Sequence, residues 1–139
     1  MYKCKRKASS AHNTLWKNFS RYIRLRDALA ATGGLEYARC ITCGKLLPIE
    51  DLQAGHMIPG RTNGILYDET IVYSQCYDCN VTGGGERQKY KMIMVEKHGE
   101  AWYNLKEQAR KTPTDLPDFI LREMNKEILK KIKKLKESV

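Results

Sequence analysis

Four of the five cysteines fall into two close pairs, Cys40 with Cys43 and Cys76 with Cys79, and two residues separate the members of each pair. This spacing lets one turn of backbone direct both sulfurs at a tetrahedral ion, and two such pairs supply the four thiolates of a structural zinc site. Four ordinary buried thiols are the less favoured alternative. Because a four-cysteine site leaves no open position for a substrate, any chemistry must lie elsewhere.

The 32 residues between the two pairs, 44–75, contain His56 in the sequence AGHMIPGR, and Asn80 directly follows the last cysteine. If one zinc ion gathers both pairs, we expect the imidazole and the Asn80 amide to face each other. A neutral imidazole can take a proton from water, and a cation with the Asn80 oxygen among its ligands can neutralise charge on a phosphate. Arg61 could hold a phosphate oxygen. The alternative is a structural or surface role for His56.

Hydrophobic periodicity predicts the elements that must position these residues. A helix is predicted over 11–31, ending at Gly33-Gly34. The β-prone residues 70–75, TIVYSQ, directly precede the second cysteine pair, and turns are predicted at Pro59-Gly60 and Asn63-Gly64. Further helices are predicted over 86–97, 100–111 and 118–137. The pattern predicts an α+β fold with a small zinc-stabilised core and flanking N- and C-terminal helices.

We divide the chain into a basic tail at 1–11, a zinc-knuckle domain with its N-terminal helix at 12–111, and a linker with a basic amphipathic helix at 112–139. The last helix has an apolar stripe that needs a partner, either the protein's own core or a second copy of the chain. Its members are Ile120, Met124, Ile128, Ile132 and Leu135.

The chain has 25 lysines and arginines against 16 acidic residues, a net charge of +9, which favours a polyanionic partner. Nucleic acid is the first candidate partner and an anionic membrane surface the second. By net charge alone, a merely basic protein without such a partner is about as well supported as nucleic-acid binding. No apolar run approaches the ~18 residues of a membrane span, and no apolar stretch follows the basic N-terminus as in a secretory signal. We therefore expect the protein in a reducing cytoplasm.

Basic side chains in the helices and in the insert are the predicted phosphate contacts. They are Arg21, Arg24, Arg61, Arg87, Lys89, Lys91, Lys130 and Lys134. Such contacts give affinity without sequence choice and weaken with salt. Since no pattern resembles a helix-turn-helix reader of bases, we expect recognition of DNA shape.

The order CxxCGK, AGHMIPGR and QCYDCN resembles the HNH, or ββα-metal, nuclease superfamily and, more narrowly, the phage NinG (Rap) recombination-protein family. LWKNFSRYIRLRDA (15–28) resembles that family's N-terminal helix, and YKMIMVEKHG (90–99) resembles its helix after the second knuckle. The resemblance covers 12–111. It implies an HNH-like core and a metal-dependent, structure-selective endonuclease that cuts branched recombination intermediates, such as Holliday junctions or flaps, in the cytoplasm of a bacterial host.

The resemblance also implies roles for particular residues. His56 matches the general base, and Asn80 matches a ligand of the catalytic Mg²⁺ or Mn²⁺ ion. The four paired cysteines match the ligands of the structural Zn²⁺. A homodimer is expected because a branched substrate needs symmetrical cuts.

Two departures from the superfamily pattern keep alternatives open. Gly55 stands where many HNH nucleases have an acidic metal ligand, so the second ligand is unassigned. The candidates are Asp51, Asp68, Glu69, Glu86 and His56 itself. The group that orients the histidine is either Thr70 or a backbone carbonyl of 68–75. A non-catalytic zinc-knuckle DNA-binding accessory protein is the second hypothesis, and an RNA-binding zinc protein is the third.

Overall fold

The structure, a computed structural model, describes residues 9–58, 65–112 and 114–139. Its fold is α+β, as predicted, with helices around two small antiparallel sheets. The helices are α1 (Ser10–Thr32), α2 (Arg87–His98), α3 (Glu100–Arg110) and α4 (Asp118–Glu137). The strands are β1 (Tyr37–Arg39), β2 (Leu46–Pro48), β3 (Leu52–His56) and β4 (Val72–Cys76). The predicted turns at 59–60 and 63–64 lie outside the described residues, as does most of the 1–11 tail.

Helix α1 forms where the sequence predicts it, and a capping residue lies at each of its ends. The Ser9 hydroxyl accepts a hydrogen bond from the His12 amide and caps the N-terminus. Gly33 ends the helix at φ 75°, a left-handed conformation that suits glycine, and donates its N–H to the Leu29 carbonyl. The spacing of Leu15, Phe19 and Ile23 gives one buried stripe, which packs against β3, β4 and α4.

Strands β3 and β4 form a hairpin in which Leu52 pairs with Cys76 at one end and His56 pairs with Val72 at the other. Because side chains alternate along a strand, Leu52, Ala54 and His56 point to one face, and Gln53 and Gly55 point to the other. Helix α1 covers the first face. The second sheet, β1 with β2, has Tyr37 opposite Pro48.

Helix α1 also satisfies the open edge of β4. Arg26 donates to the backbone carbonyls of Glu69 and Val72, at 2.8 Å each. Asp27 accepts a hydrogen bond from the Ser74 amide at 2.7 Å. The Ser74 carbonyl in turn accepts the Ile41 N–H at 2.8 Å, which ties the first cysteine pair to this strand. These contacts protect an edge that would otherwise be open to pairing with another chain.

Helix α4 packs on α1. Its apolar stripe therefore contacts the protein's own core, which was one of the two partners expected for it. Ile128 and Ile132 are buried in the same core as Leu15 and Phe19. The Asn18 amide donates to Asn125 at 2.8 Å. Leu121, which the predicted stripe omits, is also fully buried, whereas Ile120 is only half-buried.

Helices α2 and α3 meet at Gly99, whose φ of 93° lets the chain turn sharply between them. Tyr90 of α2 is fully buried, and its hydroxyl donates to the Gly55 carbonyl at 2.9 Å.

None of the helices in the described ranges is long and apolar enough to span a bilayer.

Candidate metal centre and histidine site

The four paired cysteines come together at the end of the hairpin where Leu52 pairs with Cys76. Their sulfurs all lie within 4.8 Å of one another, and the sulfurs of Cys43 and Cys76 are 3.8 Å apart. A zinc ion with tetrahedral Zn–S bonds of about 2.3 Å requires sulfurs separated by about 3.8 Å. The donor set and its spacing therefore fit Zn²⁺, as predicted.

Each pair sits on a knuckle whose backbone suits metal binding. Gly44 has φ 77° and donates its N–H to the Cys40 carbonyl at 2.8 Å, which closes the first turn. The Cys79 amide points at the Cys76 sulfur, 3.4 Å away. Such amide contacts lower the cost of holding thiolates together. An ion here would join the β1–β2 sheet to the β3–β4 hairpin.

The pKa values of the Cys40 and Cys79 thiols are shifted in opposite directions. Burial raises the pKa of Cys40, but hydrogen bonds from the Thr42 hydroxyl and from nearby backbone amides outweigh it and bring the pKa to about 6. Burial raises the pKa of Cys79 to about 12, and the neighbouring sulfurs of Cys76 and Cys40 contribute to the rise. Cys40 therefore ionises before Cys79, and a bound cation would favour the ionised form of the Cys79 thiol.

His56 lies at the opposite end of the hairpin from the cysteines, about 13 Å along β3 from Leu52 by the strand rise. Its Nε2 is 2.9 Å from the Leu66 carbonyl oxygen. Because a carbonyl can only accept, Nε2 must carry a proton, and in the neutral ring Nδ1 then carries the lone pair. The ring stacks on Trp16 of α1, with centroids 5.2 Å apart and planes 16° apart.

A turn over 65–71 supplies the carbonyl that holds His56. The Tyr67 hydroxyl of this turn contacts His12 Nδ1 at 2.9 Å. His12 is half-buried, and this contact joins α1 to the turn. We expected Thr70 or a carbonyl of 68–75 to orient His56, and the group is instead the carbonyl of Leu66.

Asn80 and His56 do not face each other, contrary to our expectation. The Asn80 amide donates to the Gln53 side chain at 2.6 Å. Gln53 lies three residues before His56 on β3, about 10 Å along the strand, and points to the other face. The prediction was wrong because the sequence does not show which side chains of β3 point to which face of the hairpin. In the structure, His56 and Gln53 point to opposite faces.

The packing around position 55 requires a glycine, and the sequence alone does not show this. The Gln75 side chain, which is fully buried, lies directly over it. A Cβ at position 55 would meet Gln75 Oε1 at a separation of only 1.9 Å. Gln75 is held there by hydrogen bonds from its amide to the Thr42 hydroxyl at 3.1 Å and to the Gly85 carbonyl at 3.0 Å. The space over Gly55 is therefore filled by the Gln75 amide.

The acidic candidates for a second metal ligand are spread over the structure. Asp68 pairs with Lys106 at 2.7 Å, and Glu69 pairs with Lys131 at 2.6 Å. Within the described residues, the four cysteines form the one group of three or more histidine, cysteine or acidic side chains close enough to share an ion. Among the described residues, no such group lies beside His56 to hold Mg²⁺ or Mn²⁺.

The predicted phosphate contacts differ in their surroundings. Arg24 is half-buried, and it donates to the carbonyls of Ser20 and Ile49 at 3.2 and 2.9 Å. Burial lowers its pKa, and Arg21 lowers it further. The ammonium of Lys91 lies 4.5 Å from the centroid of the Tyr103 ring. Exposed side chains include those of Arg21, Arg87, Lys89, Lys130 and Lys134, whereas Arg61 lies outside the described residues.

The family model described as "Bacteriophage Lambda NinG protein" matches residues 2–138, nearly the whole chain. The chain belongs to the NinG family. No curated protein and no solved structure gives a significant match. The match to this NinG-family chain extends past both ends of the resemblance seen at 12–111, and it includes α4.

Three residues around His56 and Gly55 are not predicted from the sequence. Nothing in the sequence places Trp16 or Leu66 beside His56, and Gln75 stands out only as the end of the β-prone residues 70–75. A tryptophan at position 16 of an amphipathic helix indicates a packing contact, but the sequence does not show that His56 is the residue it contacts. A carbonyl carries no sequence signal at all, since every residue has one.

Proposed function

We propose that this protein is a structure-selective DNA endonuclease of the HNH type that hydrolyses phosphodiester bonds in branched recombination intermediates. The observation that carries the proposal is the hydrogen bond from His56 Nε2 to the Leu66 carbonyl. It selects the tautomer in which Nδ1 can act as a base. The strand–strand–helix order of β3, β4 and α2 is the order that a ββα-metal core requires.

The chain's own groups support the following chemistry. Zinc on the four cysteines holds the far end of the hairpin and takes no part in the reaction. His56 Nδ1 removes a proton from water as the water oxygen bonds to phosphorus. The bond to the leaving sugar oxygen breaks, and that oxygen takes a proton from solvent water. The stack on Trp16 keeps the ring plane constant while the imidazole becomes charged, and an aromatic face favours that charge.

The described residues supply only part of a site for the expected Mg²⁺ or Mn²⁺ ion. The Asn80 amide can offer an oxygen, but the four cysteines are the one group of three or more histidine, cysteine or acidic side chains among the described residues that could share an ion. Since Mg²⁺ is usually held by one or two carboxylates with phosphate oxygens, one amide would be a weak site. A nicking assay measures whether cleavage requires Mg²⁺ or Mn²⁺.

The charge balance supports DNA as the partner. The net charge of +9 would draw a polyanion to the protein, and exposed Arg21, Arg87 and Lys89 would contact phosphates. The expected homodimer also remains a proposal. Because α1 uses the apolar stripe of α4, a second copy would have to bind another surface.

One observation favours a second candidate, a DNA-binding accessory protein without catalysis. Gln75 covers Gly55, where an acidic metal ligand would stand. A hairpin that cannot hold the ion beside His56 could still grip a junction through its basic surface. The two candidates share DNA binding and differ in cleavage.

A nicking assay separates them. Labelled four-way junction and linear duplex are incubated with wild type, His56→Ala and His98→Ala, in Mg²⁺, Mn²⁺ or EDTA. His98 is an exposed histidine stacked on Trp102, so its replacement is a matched control. We expect metal-dependent cutting of the junction that falls about 10²- to 10⁴-fold in His56→Ala alone, as for loss of a general base. Tight junction binding without cutting in any metal would establish the accessory protein instead.

A further inference from the structure

The turn over 65–71, whose Leu66 carbonyl accepts a hydrogen bond from His56, is bonded to helix α3 through one ion pair. Asp68 follows Leu66 by two residues, and its Oδ2 accepts a hydrogen bond from Lys106 of α3 at 2.7 Å. Its Oδ1 accepts from the Thr70 amide and hydroxyl at 2.9 and 2.6 Å. One carboxylate therefore ties α3 to the turn and closes the turn on itself.

We propose that Lys106, acting through Asp68, is a positioning residue for His56. The Asp68 amide donates to the Ile65 carbonyl at 3.1 Å, so the Leu66 carbonyl lies between two fixed points. If Asp68 shifts, the direction of that carbonyl changes, and the Nε2 proton loses its acceptor. The proposal rests on His56 being the base, and it identifies what holds the base in its active tautomer.

The ion pair is suited to this role because it is partly withdrawn from water. The side chains of Lys106 and Asp68 are 24% and 20% exposed, whereas those of Lys126 and Glu123, an ordinary pair on α4, are 66% and 64% exposed. Burial, the largest influence, would raise the pKa of Asp68, but hydrogen bonds from Lys106 and Thr70 outweigh it and lower the pKa. The carboxylate therefore stays charged and bonded at neutral pH.

The test observes the His56 ring directly, independent of cleavage. Full-length, zinc-loaded protein labelled with ¹⁵N-histidine is examined by long-range ¹H–¹⁵N correlation near neutral pH, with His56→Gln used to assign the signals. The variants are Lys106→Met, which keeps the length of the side chain, and Lys106→Arg, which keeps the charge. Lys126→Met is the matched control.

In wild type we expect the Nε2–H tautomer and a proton protected from exchange. In Lys106→Met we expect the ratio of Nε2–H to Nδ1–H to fall about fivefold, with faster exchange, which is the effect of losing about one hydrogen bond. Lys106→Arg should recover most of the wild-type ratio, and Lys126→Met should match wild type. If Lys106→Met leaves both the tautomer ratio and the exchange rate unchanged, the proposal is overturned.

Cleavage provides the second readout and separates the two proposals. We expect Lys106→Met to lower kcat, by less than about fivefold, at unchanged KM for the junction. The fraction of His56 in the active tautomer falls less than the tautomer ratio, and α3 holds the base rather than the DNA. If wild type does not cut but the tautomer still shifts in Lys106→Met, the nuclease proposal fails and the positioning role stands. If Lys106→Met does not fold, Asp68→Asn, which keeps the Thr70 contacts and loses the charge, must give the same shift, and no shift there overturns the proposal.

Discussion

Replacement of Gly55 by alanine should destabilise the protein because of one buried side chain. The new Cβ would lie 1.9 Å from Gln75 Oε1 and 2.6 Å from Gln75 Cδ. Gln75 is fully buried and makes hydrogen bonds to Thr42 and Gly85, so it cannot swing into solvent. Two lost hydrogen bonds at about 1 kcal/mol each, with about 1 kcal/mol for overpacking, give a cost of about 3 kcal/mol.

Chemical denaturation of the zinc-loaded protein, followed by circular dichroism, measures this free energy of unfolding. Gly34→Ala is the matched control, because Gly34 has an ordinary φ and the nearest atom to its new Cβ is 3.6 Å away. The double variant Gly55→Ala/Gln75→Ala should lose less than the sum of the two single variants, since the clash vanishes with Gln75. A cost for Gly55→Ala within about 0.5 kcal/mol of wild type, the usual range of surface changes, would refute the reasoning.

Two further predictions concern the metal centre and the helix pair. Zinc affinity should fall as pH falls, because the four sulfurs must lose protons to bind and the pKa of Cys40 is about 6. The lowered pKa of Cys40 contributes stability above pH 9, and this contribution is lost as pH falls through 6. Zinc release monitored by a chromophoric chelator should therefore be greater at about pH 5 than at about pH 8, and equal release would contradict the four-thiolate site. On α4, Ile128→Ala should cost about 2–4 kcal/mol in urea denaturation, and Leu129→Ala, at a side chain 46% exposed, under about 1 kcal/mol. Equal costs would mean that α4 does not pack on α1.

Much of the fold could be predicted because its signals are local. The predicted helices at 11–31, 86–97, 100–111 and 118–137 each lie within a few residues of α1 to α4. Periodicity, glycine stops and the break at 112–118 depend on neighbouring residues alone. Strand β1 was missed, since three residues carry too little pattern, and it forms because β2 pairs with it.

The candidate site was predicted only in part. The cysteine pairs were correctly brought to one point, because their spacing itself encodes the knuckle. The facing of His56 and Asn80 was wrong, because it depends on which residues of β3 point to which face. The proposed cleavage, its metal and the DNA contacts stay predictions.

By itself, the sequence determined the family, the zinc ligands, the helices and the excess of positive charge. These follow from residue types and short spacings, which no tertiary contact can alter. The tertiary structure alone decided that His56 stacks on Trp16 and donates to Leu66, that Gln75 fills the space over Gly55, and that α4 packs on α1. Each of these contacts joins residues that are distant in the chain, and strand register and helix packing bring them together only when the whole core forms.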